Sequence, residues 1–294
     1  MKLLLFGMGN AGIRYYRIFT ALGHSVSWVD PVAPGWRYPN MPKPKKHEQH
    51  YTSLQSAFLD LRQYQAFIVC TPITERMMVD VLVNFHKPIL VEKPLTPSHS
   101  YYWYDEKISS YSDLWVGLQM PFMHSFQQFK KDIDGLRKKY PIDVQVVARS
   151  NFRKWRGLRG KHQNVLPPIY EFAHDLNLAY LLLLRDPTTS TPTIGDKSLM
   201  MTEAKQQQGF MTHTYDSNSL ITFSLDLEWE EEERYLEVGC CGKIARYNIN
   251  REENVRAYEQ LATAFLVSVE QGIYCPYQTT YRDWFKFMAS IDVC

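Results

Sequence analysis

Cysteine is scarce in this sequence, and its five cysteines follow no pattern that binds a metal or staples a small fold. The count is odd, no C-x-x-C pair occurs and no histidine stands at ligand spacing, so we expect neither a metal site nor a disulfide framework. Long hydrophobic runs are also missing. The run at residues 3–6 stops at Gly7, too early for a signal peptide, and the run around 178–184 is far shorter than a membrane span. We therefore expect a cytoplasmic protein with no membrane partner.

The sequence also lacks a large excess of charge of either sign. The 33 Lys and Arg residues face 31 Asp and Glu residues, which leaves a net charge of only +2 at pH 7. No overall field therefore favours nucleic acid as a partner. The composition is that of an ordinary globular protein, with 45% hydrophobic and 22% charged residues in 294. This length corresponds to about two domains of roughly 150 residues.

The order of the predicted elements indicates an α/β fold. Strand-like and helix-like segments alternate through the first third, which predicts a doubly wound parallel sheet of the Rossmann type over residues 1–118. Longer strand-like segments then follow one another with few helices between them, which predicts a C-terminal α/β domain over residues 119–294. We expect the sheet of this second domain to be open and mostly antiparallel, and to bury one face in a homodimer or higher homo-oligomer.

The individual elements follow from hydrophobic periodicity. The first domain is predicted to have strands at 2–6, 25–29, 66–70, 88–91 and 115–118, helices at 13–22, 54–61 and 75–84, and a proline-rich surface loop at 31–50. The second domain is predicted to have strands at 144–149, 211–214, 219–227, 234–238 and 243–248, and helices at 122–131, 169–184 and 253–270.

A glycine-rich turn between the first strand and the first helix is the most informative motif. The G-x-G-x-x-G pattern consists of Gly7, Met8, Gly9, Asn10, Ala11 and Gly12. The first glycine permits a tight turn, the second lets the backbone approach a pyrophosphate, and the third allows the helix to pack on the strand. The helix N-terminus offers N–H groups to phosphate. A turn without a ligand is the alternative, but the flanking strand and helix favour dinucleotide binding.

An acidic residue closes this unit and bears on the choice of cofactor. Asp30 ends the second predicted strand, where its carboxylate is expected to accept hydrogen bonds from the adenosine ribose hydroxyls. The same carboxylate would repel a 2′-phosphate, which favours NAD. NADP stays open as the alternative because the following loop carries four basic residues, Arg37, Lys43, Lys45 and Lys46.

A Glu-Lys-Pro segment follows the strand predicted at 88–91. Glu92 and Lys93 therefore stand at the carboxyl edge of the sheet, where doubly wound folds bind their ligands. A lysine at that edge can hydrogen-bond a substrate hydroxyl and exchange a proton with it. From the residues alone, a solvated lysine is the alternative.

The sequence resembles the Gfo/Idh/MocA family of oxidoreductases over nearly its whole length. The resemblance is carried by FGMGNAG at 6–12, IVCTP at 68–72, ILVEKPLT at 89–96, VGLQMPFMHSFQQFK at 116–130, EFAHDLNLAYLLL at 171–183, YLEVGCCGKI at 235–244 and AYEQLATAFLVSVEQG at 257–272. It implies NAD(P)-dependent hydride transfer at a carbinol or carbonyl carbon of a small, sugar-like substrate. By this resemblance Thr71 and Pro72 border the cofactor, Glu92 lies beside the nicotinamide ribose, and Lys93 acts on the substrate hydroxyl.

The second domain departs from the family pattern in its substrate-domain helix. The family commonly has an aspartate four residues before the histidine of its substrate-domain helix, whereas here Tyr170 stands four residues before His174. On a helix these two side chains share a face. The resemblance makes Tyr170 and His174 candidates to handle the proton together with Lys93, and a buried core histidine is the alternative for His174. Asp175 and Gln119 are further candidates for substrate contacts.

A local basic cluster lies between residues 149 and 162 and includes Arg153 and Arg156. Guanidinium groups suit carboxylates and phosphates, so we expect an anionic substrate such as a sugar nucleotide, a sugar phosphate or a uronate. A solvated loop is the alternative. Two other functions stay open. One is a biliverdin-reductase-like reduction, against which Lys93 argues, and the other is a non-catalytic dinucleotide sensor.

Overall fold

The computed structural model of the chain describes residues 1–32, 42–72, 78–93, 113–139, 147–153, 174, 177–178, 181–182, 198–202, 208–216, 219–226, 233–240, 243–273, 275–280 and 292–293. Tertiary contacts divide the chain into two units. The first is Met1–Leu118 with Tyr258–Phe285, and the second is Gln119–Ala257 with Lys286–Cys294. Each unit has a sheet of its own.

The first unit is built on a six-stranded, fully parallel sheet. Its strands are β1 (Lys2–Phe6), β2 (Ser25–Val29), β3 (His50–Tyr51), β4 (Ala66–Val69), β5 (Ile89–Glu92) and β6 (Leu114–Gly117), in the order β3-β2-β1-β4-β5-β6. The four apolar residues 3–6 of β1 are fully buried, as expected for a central strand covered on both faces. The predicted doubly wound parallel sheet is therefore confirmed.

The first helix of this unit begins three residues before its predicted span, and the other two continue as 3₁₀ helices. They are α1 (Asn10–Ala21), α2 (Leu54–Ala57), which continues as a 3₁₀ helix over Phe58–Gln63, and α3 (Met78–Leu82), which continues as a 3₁₀ helix over Val83–Phe85. Ser53 starts α2 with a capping box to Ser56. After Ala57 the apolar residues Phe58 and Leu59 are 49% and 92% exposed, so these two side chains contribute little burial to the segment.

One predicted loop contains a short strand. Residues His50 and Tyr51 pair with β2 as the edge strand β3, although the proline-rich stretch before them indicates only a loop. The main-chain N–H of Asp30 donates to the Tyr51 carbonyl at 2.9 Å. The Tyr51 hydroxyl donates to the Asp60 carboxylate at 2.8 Å, which ties β3 to the 3₁₀ helix. These distant partners explain why local composition does not indicate the strand.

The second unit contains a seven-stranded, mostly antiparallel sheet, which confirms the second half of the fold prediction. Its strands are β7 (Val147–Arg153), β8 (Ser198–Thr202), β9 (Gln208–Asp216), β10 (Ser219–Asp226), β11 (Glu233–Cys240), β12 (Lys243–Asn248) and β13 (Asp292–Val293), in the order β12-β11-β7-β10-β9-β8-β13. Only β7–β10 and β8–β13 pair in parallel among these strands. Sequence periodicity does not predict β8 or β13.

The chain also contains a 3₁₀ helix, Met120–Phe122, and two long helices, α4 (His124–Lys139) and α5 (Arg251–Gln271). A carboxylate on α5 caps the first turn of α4, because Glu253 Oε1 accepts the main-chain N–H of Ser125 at 2.7 Å. The Ser125 hydroxyl lies 2.9 Å from that of Tyr247. Burial, opposed by the Ser125 hydrogen bond and assisted by the Glu253 charge, raises the pKa of Tyr247 to about 12, so this phenol stays neutral. None of the described helices is long and apolar enough to cross a membrane.

We expect the α4 cap to contribute measurably to stability. Replacing Glu253 by Ala removes an ionised acceptor from two donors, and a hydrogen bond to a charged group contributes about 1.5–3 kcal/mol. Urea denaturation of Glu253→Ala should therefore show a free energy of unfolding about 2 kcal/mol lower than that of the wild type. Glu252→Ala is the matched control because Glu252 is exposed in the same helical turn. Equal losses in the two variants would contradict the cap.

Candidate functional site

The carboxyl ends of β1, β2, β4 and β5 meet at one edge of the parallel sheet. The strand order reverses between β1 and β4, since β1 leads to β2 on one side and β4 to β5 on the other. A crevice forms at such a reversal, and ligands of doubly wound folds bind there. The residues that follow these strands are Gly7, Asp30, Cys70, Thr71 and Lys93.

The glycine-rich turn fits this crevice because a side chain would be strained at Gly7 and would overlap the backbone at Gly12. Gly7 has a φ of +87°, and a Cβ there would lie 3.0 Å from both the Cys70 carbonyl carbon and the Thr71 nitrogen. A Cβ on Gly12 would lie 1.9 Å from the Gly7 oxygen. A Cβ on Gly9, by contrast, would meet no atom within 4 Å. The turn is thus tightly packed on the protein side and open where a ligand would approach.

The start of α1 is suited to an anion. Gly9 is its N-cap residue, no side chain caps the helix, and its first turn contains no acidic residue. The exposed Asn10 and half-buried Ala11 begin the helix, whose first main-chain bond joins the Ile13 nitrogen to the Gly9 oxygen at 2.9 Å. Uncapped N–H groups and the helix dipole favour a phosphate at such a terminus. The turn therefore fits the pyrophosphate of a dinucleotide.

Asp30 holds the turn from the end of β2. Its Oδ2 accepts the main-chain N–H of Met8 at 2.7 Å, and its Oδ1 accepts that of Val32 at 2.8 Å. The side chain is buried. Because each carboxylate oxygen can accept more than one hydrogen bond, Asp30 can orient the turn and still receive ribose hydroxyls.

Glu92 and Lys93 follow one another at the exit of β5. Glu92 is 7% exposed, and its side chain lies over Gly117 of β6, where an added Cβ would be 3.3 Å from the Glu92 carboxyl carbon. Lys93 is half-buried, as is Thr71 at the exit of β4, while Pro72 is exposed. The residues predicted to border a cofactor are thus found at one edge of the sheet.

Two buried tyrosines near Glu92 are not singled out by sequence reasoning. Tyr15 on α1 and Tyr258 on α5 meet edge to face with ring centroids 6.0 Å apart, and the Arg14 guanidinium lies 4.2 Å from the Tyr258 ring centroid. Burial first, and the charge of Glu92 next, raise the pKa of both tyrosines. Tyr15 follows Gly12 by three residues, which is a usable signal, but nothing local connects Tyr258 to this edge.

The predicted residues of the second unit are described only in part. His174 is helical and 6% exposed, and the helical Asn177 three residues later is 1% exposed. Gln119 is 2% exposed, and its Nε2 donates to Asn254 Oδ1 at 2.8 Å. The Gln119 amide thus joins the segment after β6 to α5. Arg153 ends β7. Tyr170, Arg156 and Asp175 lie outside the described residues, and all these substrate-side roles stay predictions.

A cavity of about 520 Å³ lies elsewhere in the first unit and belongs to a different edge of the sheet. It is lined by Phe58, Arg62, Val81, Asn84, Phe85 and Lys87. These residues precede β4 or β5 in the chain, so the cavity is near the amino ends of the strands, opposite the glycine-rich turn. Among the described side chains, no group of three or more His, Cys, Asp or Glu is placed to hold a metal ion.

Comparison with known proteins gives a likeness in fold. The chain is similar to myo-inositol dehydrogenase from Corynebacterium glutamicum, with a TM-score of 0.75 and 13% identity over 99% of this chain and 94% of that one. It is similar to scyllo-inositol dehydrogenase from Lactobacillus casei with bound NAD(H) and scyllo-inositol, with a TM-score of 0.74 and 15% identity over 99% and 95%. A UDP-N-acetylglucosamine 3-dehydrogenase from Acidithiobacillus ferrooxidans has a TM-score of 0.70 and 13% identity over 99% and 95%. No protein-family model and no curated protein sequence matches the chain.

Proposed function

We propose that this chain is an NAD(P)-dependent oxidoreductase of the Gfo/Idh/MocA type that acts on a sugar-like substrate. The observation that carries the proposal is the closed glycine-rich turn at the switch point of the parallel sheet, with Asp30 and Lys93 at the same edge. The likeness in fold to inositol and sugar-nucleotide dehydrogenases supports it.

The dinucleotide supplies a hydride acceptor or donor when bound. The main-chain groups after Gly9 bind its pyrophosphate, and Asp30 binds the adenosine ribose, which favours NAD over NADP. Glu92, at the exit of β5, contacts the nicotinamide ribose. These contacts hold the reactive part of the cofactor at the edge where Lys93 stands.

Lys93 holds or moves the proton of the substrate oxygen. In oxidation of a carbinol, its amine accepts the hydroxyl proton as the carbon loses hydride, and in reduction its ammonium returns that proton. His174 or Tyr170 assists, and Gln119 and Asp175 contact the substrate. The guanidinium groups of Arg153 and Arg156 supply the charge for an anionic substrate, so we propose a sugar nucleotide, a sugar phosphate or a uronate over a neutral polyol.

Turnover assays test this function. The purified chain is mixed with NAD⁺ or NADP⁺ and a panel of inositols, uronates, sugar phosphates and UDP-N-acetylglucosamine, and absorbance of the reduced nicotinamide is followed. We expect reduction of the dinucleotide with an anionic sugar. Mass spectrometry of small molecules that copurify with the chain is the complementary experiment. Turnover of a neutral polyol alone would contradict the role of the arginines, and no turnover with any substrate would contradict the enzymatic proposal.

Asp30→Ala tests whether this carboxylate contributes to NAD⁺ binding as well as to stability. It removes the acceptor for two main-chain N–H groups, so we expect the free energy of unfolding to fall by about 2 kcal/mol. We also expect the Kd for NAD⁺ to rise about tenfold or more, equivalent to about 1.4 kcal/mol. The matched control is Asp60→Ala, which removes the acceptor of the Tyr51 hydroxyl and should lower stability alone. Equal NAD⁺ affinity in the two variants would contradict the role of Asp30.

A further inference from the structure

Tyr15 is a buried hydroxyl with a fixed ring. Its side chain is fully buried, its ring stacks on Phe19 with centroids 5.9 Å apart, and it meets the edge of Tyr258. The hydroxyl forms no hydrogen bond of ordinary geometry within the described part of the chain. Burying a hydroxyl without such a bond is unfavourable, so packing of the ring alone does not explain a tyrosine at this position.

The charged group that acts on this hydroxyl is Glu92. Burial, followed by the charge of Glu92, raises the pKa of Tyr15 well above its ordinary value, and a contact weaker than an ordinary hydrogen bond adds to the effect. The phenol therefore stays protonated, and a neutral O–H dipole close to Glu92 favours the carboxylate form of that residue. Gly117 of β6 borders the same carboxyl group, because an added Cβ there would lie 3.3 Å from the Glu92 carboxyl carbon.

We propose that Tyr15 is a positioning residue for Glu92, which it orients so that the carboxylate favours the positively charged oxidised nicotinamide over the neutral reduced ring. This inference rests on the proposed function, which places the nicotinamide ribose beside Glu92. A carboxylate that is 7% exposed is poorly screened, so its attraction for a nearby cation exceeds that of an exposed carboxylate. The oxidised nicotinamide ring is itself the cation, and the reduced ring is neutral. The expected signature is a ratio of affinities, which loss of packing alone would not change.

Calorimetric titration with NAD⁺ and NADH tests the ratio in the wild type, Tyr15→Phe and Tyr16→Phe. Tyr16→Phe is the matched control because Tyr16 is the next residue of α1 and its hydroxyl donates to Glu48 at 2.8 Å, outside the Glu92 cluster. We expect Tyr15→Phe to weaken NAD⁺ about fivefold and NADH less than about twofold. Tyr16→Phe should leave the NAD⁺ to NADH ratio unchanged.

Glu92→Gln provides a second route to the same readout without altering α1. Glu92→Gln should shift the NAD⁺ to NADH affinity ratio in the same direction as Tyr15→Phe and by at least as much. The double variant Tyr15→Phe/Glu92→Gln should show no further shift, since the hydroxyl acts through the carboxylate. An unchanged ratio in Tyr15→Phe or in Glu92→Gln, with both dinucleotides still bound, would overturn the positioning role and leave the proposed function intact. A wild-type chain that binds neither dinucleotide would overturn both.

Discussion

Lys93→Ala should lose nearly all turnover and keep its cofactor. General acid–base catalysis by one side chain contributes about 10²–10⁴-fold, so we expect kcat to fall by roughly 10³-fold with the best substrate of the panel. The Kd for NAD⁺ should stay within about threefold of the wild-type value, because the pyrophosphate and adenosine contacts lie at other strands. Steady-state kinetics and calorimetry of the same preparation measure the two quantities.

Two further variants make this result specific to position 93. Lys87→Ala removes a half-buried lysine just before β5, at the opposite end of the strand, and should leave kcat unchanged. Lys93→Arg keeps the positive charge but replaces the amine by a group that does not release its proton, so it should be nearly as inactive as Lys93→Ala. Full activity of Lys93→Arg would contradict proton exchange at this residue. Dinucleotide binding by a wild-type chain that turns over no substrate would support a sensor instead.

The second large effect is expected at the glycine-rich turn, where two alanine substitutions should fail in different ways. At Gly9 a Cβ meets no protein atom, so Gly9→Ala should fold with an unfolding free energy within about 1 kcal/mol of the wild type. The same Cβ would occupy space that a pyrophosphate needs, so NAD⁺ affinity should fall about 100-fold. At Gly12 the Cβ would overlap the Gly7 oxygen, so Gly12→Ala should lose about 3 kcal/mol or more.

A helical glycine elsewhere supplies the control for these substitutions. Gly135 lies on α4, and a Cβ there meets nothing within 4 Å, so Gly135→Ala should gain up to about 1 kcal/mol from helix propensity. Its NAD⁺ affinity should equal that of the wild type. Urea denaturation and calorimetry applied to all three variants separate folding from binding. If Gly9→Ala bound NAD⁺ as well as Gly135→Ala does, the pyrophosphate would lie elsewhere.

Local sequence patterns account for most of the first unit because its parallel strands are short, apolar and regularly spaced. The first 30 residues contain the apolar run of β1, the glycine-rich turn after it and the aspartate that follows β2. The same logic identifies the edge that holds Glu92 and Lys93. The carboxyl ends of parallel strands must share one side of the sheet, so their order along the chain is enough to predict their proximity.

What local patterns miss are the contacts made by residues far apart in the chain. Tyr258 follows Tyr15 by 243 positions and still packs against its ring, because the second half of α5 belongs to the first unit. Glu253 caps α4 across 128 positions. The sequence also does not show that Asp30 holds the glycine-rich turn. Its position predicts a ribose contact, but only the folded geometry shows its carboxylate holding the Met8 N–H.

A crystal structure of the chain with NAD⁺ tests the central claim most directly. We expect the pyrophosphate against the main chain at Gly9, the adenosine ribose on Asp30, and the Lys93 amine facing the nicotinamide ring across a space large enough for a carbinol. An amine directed into bulk solvent, or a dinucleotide bound away from the exits of β1 and β5, would contradict it.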